Sequence, residues 1–130
     1  MKAVTLWRPW PWAFIVAGKG VENRTWQLPK SLIGTRVALH AGKTYSDEAA
    51  AWINVTFGLS VPCESEHPTG IVATGVYQGP AEANRFLHDP WFVGPVGWVF
   101  AELGALPQPV PCRGAQGLWT VPEHLERALA

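Results

Sequence analysis

Five or six short apolar or β-branched runs cross this chain, interrupted by two or three helical stretches and never in regular strand–helix–strand alternation. That pattern favours a mixed or antiparallel sheet closed on itself over a doubly wound parallel one. The expected fold is therefore a small α+β barrel, mainly β. Residues 2–7 read as a first strand with Val4 and Thr5 at its centre, broken by Pro9. Residues 9–17 read as a helix opened by proline and apolar all round, which places it in the interior or under another element. It stops at Gly18-Lys19-Gly20, and a second strand follows through Trp26. Further strands are expected at 36–40, 70–77, 98–103 and 118–121. A helix at 46–57 begins on a capping-box pattern from Thr44 to Asp47, carries Asp47 and Glu48 in its first turn and is stopped by Gly58. Residues 80–90 read as a loop with a helical turn, the proline-rich 106–111 as a stiff connector, and a short helix from Pro122 closes the chain.

With 130 residues, 48% of them hydrophobic, the chain suits one compact core and is short for two, so residues 1–130 are expected to form a single domain. No run of about 18 apolar residues exists. The N-terminus, with Lys2 and Arg8 around a short strand, lacks the apolar stretch of a signal peptide. A cytoplasmic protein with no membrane contact is the expectation. Cys63 and Cys112 have neither CxxC nor Cys/His ligand spacing, so no metal or other cofactor is implied. They read as free thiols, a single bridge between them being the alternative. Formal net charge is zero, yet residues 1–43 hold seven cations against Glu22 alone, a net of +6 that the rest of the chain cancels. A basic face opposite an acidic back is compatible with a few nucleotides, whereas a neutral whole argues against wrapping a long duplex. If the two halves interleave in space, the charges cancel locally instead.

Within this basic third lies a ten-residue window, 17–26, containing Lys19, Glu22, Arg24 and Trp26. If 21–26 is extended, alternation sends Glu22, Arg24 and Trp26 to one face, and Lys19 on its glycine-bounded turn can swing over the same face. An acceptor, two kinds of cationic donor and an indole together suit a planar, hydrogen-bonding, phosphorylated ligand. The bland alternative is a hairpin edge with a surface ion pair worth about 0–1 kcal/mol. Eight tryptophans are far more than ordinary use. Trp52 and Trp119 read as core, whereas Trp7, Trp10, Trp12 and Trp26 bracket the charged motif and Trp91 and Trp98 bracket a Gly-Pro-Val-Gly loop. Indoles so placed either stack a base or plug the barrel mouth. His40 and Lys43 at the end of the third strand either grip a phosphate or make structural hydrogen bonds. His67, His88 and His124 read as surface residues.

The motif Lys-x-x-Glu-x-Arg at 19–24 follows a small-residue turn, an apolar helix and an opening Leu6-Trp7-Arg8-Pro9-Trp10. Together with His40-Ala41-Gly42-Lys43, the run 91–98 and the run 114–119, it resembles the ASCH domains of the PUA-like superfamily, small β-barrels associated with RNA and modified nucleobases. The resemblance covers nearly the whole chain and implies a PUA-like barrel. It departs from the family pattern at Ala17, where glycine is usual, and at Glu22, where the branch that deacetylates N4-acetylcytidine has a threonine nucleophile. That branch's later strand glutamate also has no counterpart in 71–76, which argues against the same amidohydrolase chemistry.

The reading that results is a module binding short single-stranded nucleic acid, a nucleotide or a modified nucleoside. Lys19, Arg24, Arg8 and Lys43 are the candidate phosphate or carbonyl donors, Glu22 the acceptor for a base edge, His40 a further polar contact, and Trp7, Trp10, Trp26, Trp91 and Trp98 the stacking surfaces. One alternative is a hydrolase of RNA or a modified nucleoside, with Lys19 and Glu22 as its catalytic pair. The other is a protein-interaction domain without a small ligand. Oligomeric state is left open.

Overall fold

A computed structural model of the chain describes residues 1–129. Its elements in chain order are β1 (Lys2–Arg8), α1 (Trp10–Val16), β2 (Val21–Arg24), β3 (Arg36–Tyr45), α2 (Asp47–Phe57), β4 (Gly70–Pro80), β5 (Val96–Val110), β6 (Leu118–Thr120) and α3 (Glu123–Glu126), with short 3₁₀ turns between and after them. The strands form one mixed sheet in the order β2-β5-β4-β3-β1-β6. Only β1 and β3 are parallel; every other neighbour pair is antiparallel. The α+β, mainly β class read from sequence is what the chain adopts.

Hydrogen-bonded closure of that sheet into a barrel is not seen. β2 and β6 are its edges and no ladder joins them. At four and three residues they are the shortest strands of the sheet. The sheet nevertheless curls, because Arg24 Nη2 on β2 donates to the Thr5 carbonyl on β1 at 2.9 Å, although three strands separate the two along the ladder. A guanidinium spans the seam that a backbone ladder would otherwise fill.

The two longer helices follow their local signals to different degrees. In α2 the Ser46 side chain accepts from the Ala49 amide, and Gly58 ends the helix with a left-handed φ of 69°. α1 buries Pro11, Ala13 and Phe14, with Phe14 edge-on to Phe100 of β5, but leaves Ile15 and Val16 exposed, Val16 at 64%. The all-round apolar helix expected in the interior is thus covered on one side only. Two turns of helix present a single face to the sheet and no element lies over the other.

Strand lengths depart from expectation where apolar alternation gives out but pairing does not. β3 runs on to Tyr45 and β4 to Pro80, because β1 and β5 supply partners for the extra residues. β2 stops at Arg24 rather than Trp26, at a bend. The segment 106–111 is not a free connector, since β5 continues through Pro107 and Pro109 to Val110. Ala105 pairs with Ala73 and Val110 with Ile71, so β5 spends five residues where β4 spends two. The prolines fall in this bulge, where missing N–H groups break no ladder bond.

His67, read as a surface residue, is buried; its Nε2 donates to the Pro62 carbonyl and its ring lies against Trp12 and Tyr45. Cys63 and Cys112 are both free. Among the described residues no helix is long and apolar enough to cross a membrane.

Candidate functional site

Gly18, at φ 74°, turns the chain after α1, and the Lys19 amide then bonds back to the Ala13 carbonyl at 3.1 Å. This reversal drives the Lys19 side chain inward. Its Nζ sits 4.5 Å from the Phe14 ring centroid, 4.8 Å from that of Trp10, and donates to Glu22 Oε1 at 3.0 Å. Lys19 is only 2% exposed. Burial pulls its pKa below the ordinary 10.5, an effect that attraction and hydrogen bonding to Glu22 offset only in part. The ammonium that sequence reading placed on the ligand side is therefore beneath the surface, supporting Glu22.

Strand alternation on β2 does place Glu22 and Arg24 side by side, with Arg24 Nε donating to Glu22 Oε2 at 2.9 Å. Each Glu22 oxygen thus takes one cationic donor and keeps a further lone pair. Arg24 lies over the Trp98 ring at 4.9 Å, and its Nη1 has no partner within the protein. Because no buried side-chain nitrogen or oxygen is unpartnered among the described residues, that Nη1 is open to solvent. An acceptor and a free charged donor stand next to each other.

Both groups line a cleft of about 940 Å³. Its walls bring together strand β1 (Thr5, Trp7), the start of α1 (Trp10), β2 with its following bend (Glu22, Arg24, Trp26), the second half of β3 (His40 to Lys43), the turn into β4 (Thr69, Gly70), and the seven-residue segment 111–117 between β5 and β6. Trp7 and Trp26 stand at 58% and 38% exposure. Lys43 and Arg113 add two exposed cations, so the charged lining carries three positive groups against Glu22. A volume of this size falls in the range of small-ligand pockets.

No family model matches the chain, and no curated protein matches it either. What the cleft does must therefore be read from its own groups.

Four sequence candidates do not line it: Lys19, Arg8, Trp91 and Trp98. Arg8 is saturated, its five guanidinium N–H groups reaching the carbonyls of Gly42, Lys43, Glu64 and His67 and the Glu64 carboxylate at 2.7–3.5 Å. Nothing is left for a phosphate. Arg8 instead staples the end of β1 to β3 and to the loop ahead of β4. Trp91 stacks on Phe57 at 4.1 Å in a cluster with Trp52, and so packs α2 against the 85–95 loop. Trp98 is fully buried beneath Arg24, its Nε1 donating to the Trp26 carbonyl at 2.8 Å. It fixes Trp26 in place without touching the cleft.

Arg8 gives a direct check on this assignment. Arg8→Lys, with three donors in place of five, should destabilise the fold by about 1.5–3 kcal/mol, the range for bonds to charged groups, and leave ligand affinity unchanged. Chemical denaturation and a binding isotherm on the same variant read both. A large affinity loss at native stability would return Arg8 to the ligand.

Sequence reasoning assigned no site residue to the wall formed by 111–117, taking Pro111 as the end of a connector and 114–117 only as part of a run that carries the family resemblance. Gly114 and Gly117, the latter at φ 69°, were the available signal. His40 is buried against this wall rather than offered to solvent, its Nε2 donating to the Cys112 carbonyl at 2.7 Å.

Proposed function

We propose that the cleft binds a nucleotide or a short single-stranded nucleic acid and reads one base in it. The observation that carries this is the pair of exposed indoles, Trp7 and Trp26, on a cleft whose remaining charged lining is Glu22 with Arg24, Lys43 and Arg113. Exposed indoles stack bases of any sequence. Glu22 accepts from an exocyclic amine or ring N–H while Arg24 Nη1 donates to a neighbouring ring nitrogen or carbonyl, a donor–acceptor couple matched to a base edge. Lys43 and Arg113 supply charge for phosphate, which positions without reading. The resemblance to ASCH domains carries the same expectation. Both Glu22 oxygens already hold a cation, an arrangement better suited to accepting hydrogen bonds than to activating water, so the binding reading is preferred to a hydrolase.

Tryptophan fluorescence titration with tetrauridylate and tetraadenylate tests the proposal. Binding should quench emission, and log K should fall with log salt by about 0.7 per phosphate neutralised. Three cations in the cleft limit the slope to about −2. Salt-independent binding, or none to either oligonucleotide or its mononucleotide, would leave the protein-interaction reading in its place.

A further inference from the structure

The 111–117 segment is a strap with unusual fastening. It has no secondary structure, carries Arg113 and Gln116 to the cleft, and among the described residues its hydrogen bonds tie it to the body at one point, His40 Nε2 to the Cys112 carbonyl. That point is built in depth. A carbonyl only accepts, so His40 donates from Nε2 and turns Nδ1 toward Thr5. Thr5 Oγ1 is hydrogen-bonded to Nδ1 at 3.3 Å, and Trp119 Nε1 donates to Thr5 Oγ1 in turn at 3.1 Å. A relay therefore runs from β6 through β1 and β3 to the strap. It holds the His40 ring in one orientation. Gly114 closes against the same ring: a Cβ there would lie 2.6 Å from His40 Cε1 and 2.7 Å from Thr5 Oγ1. The strap seats only because this residue has no side chain.

We propose that the strap is a gate over the cleft, with His40 as the positioning residue that latches it through Cys112. Its opening lifts Arg113 and Gln116 away and widens the entrance; its closing completes the ligand-facing wall. The gate serves whatever ligand the cleft takes, so it stands apart from the nucleotide reading and is tested without ligand.

Two cysteines provide the readout. Cys63 is exposed and makes no hydrogen bond to the strap, while Cys112 is half-buried at the latch, where burial also raises its thiol pKa. Labelling with Ellman's reagent, resolved by peptide mass spectrometry, gives a rate for each. His40→Ala removes the latch bond and should speed Cys112 labelling about five- to tenfold, with Cys63 unchanged. Gly114→Ala, which leaves His40 in place but props the strap off the ring, should do the same. His40→Gln, whose side-chain amide can still donate to the Cys112 carbonyl, should label near the native rate. Hydrogen exchange in β3 and β4 should stay native in all three. Native Cys112 rates in either alanine variant, a glutamine variant as fast as His40→Ala, or lost protection in β3 and β4 would each overturn the gate.

Discussion

Glu22→Ala should destabilise the fold by about 3–5 kcal/mol at pH 7, because it strands the Lys19 ammonium among Trp10 and Phe14 with no counter-ion. An upper bound comes from titration: shedding the proton of a lysine with an ordinary pKa of 10.5 costs about 5 kcal/mol at pH 7. The pH dependence identifies the cause. Losing Glu22 removes the attraction that raises the Lys19 pKa, so in the variant it falls further below 10.5, and above the lowered value the folded state sheds a proton that the unfolded state keeps. The unfolded chain then binds one more proton, and stability must rise with pH by about 1.4 kcal/mol per unit until 10.5 is reached. Native protein should show the same sign more weakly, since Lys19 is already lowered there. Adding Lys19→Met to Glu22→Ala should restore most of the loss, as a buried apolar side chain replaces a buried charge. Denaturation of both singles and the double at pH 7 and 9 decides it. Simple additivity, or a Glu22→Ala deficit that does not shrink at pH 9, would contradict the ion pair as described.

Removing the indoles should have the largest effect on binding. Trp7→Ala and Trp26→Ala are each expected to cost about 1–3 kcal/mol of oligonucleotide affinity, and the double more than either alone. Trp7 is more than half exposed, so its loss should leave stability near native. Trp26 lies edge-on to Trp98 at 4.8 Å, and truncating it sacrifices that contact, but the bond from Trp98 goes to its backbone carbonyl and survives. Val55→Ala, an exposed change on α2 away from the cleft, serves as the control. Calorimetric titrations with tetrauridylate on these variants measure the differences. Affinity within twofold of native in the double variant would remove stacking from the proposal.

The sequence was most legible where one local rule decides the outcome. The Gly58 stop of α2, the side-by-side placing of Glu22 and Arg24 on β2, and the α+β class all follow from spacing alone, whereas the cap is Ser46 rather than the Thr44 of the expected capping box, because β3 keeps Thr44 extended. It was least legible where a side chain's partner lies far along the chain. Nothing near Arg8 announces that Glu64 and His67 will consume its guanidinium, and nothing near His40 names Cys112. Lys19 illustrates the limit most sharply. Its spacing to Glu22 was read correctly, but the turn at Gly18 decides whether the ammonium faces solvent or core, and that depends on how α1 sits against β5. Trp91 and Trp98 were misplaced because aromatic content alone does not separate a stacking surface from the packing beneath it.

The strand order also sets how far along the chain each wall of the cleft must reach for its partner. β1 lies between β3 and β6, and its partners are about 35 and about 115 residues downstream. β3 and β4 pair over separations like those of β1 and β3, Leu39 with Ala73 against Ala3 with Ala38, and only β4 and β5 meet more locally, at Pro80 and Trp98. β6 pairs only with β1, Ala3 facing Trp119, so its docking closes far the longer span of chain. Thr5 and Trp7 ride on β1, and the strap leads into β6. The wall of the cleft next to β6 therefore hangs on the most distant pairing in the sheet, and its loss under mild denaturant should precede that of the β4–β5 pair.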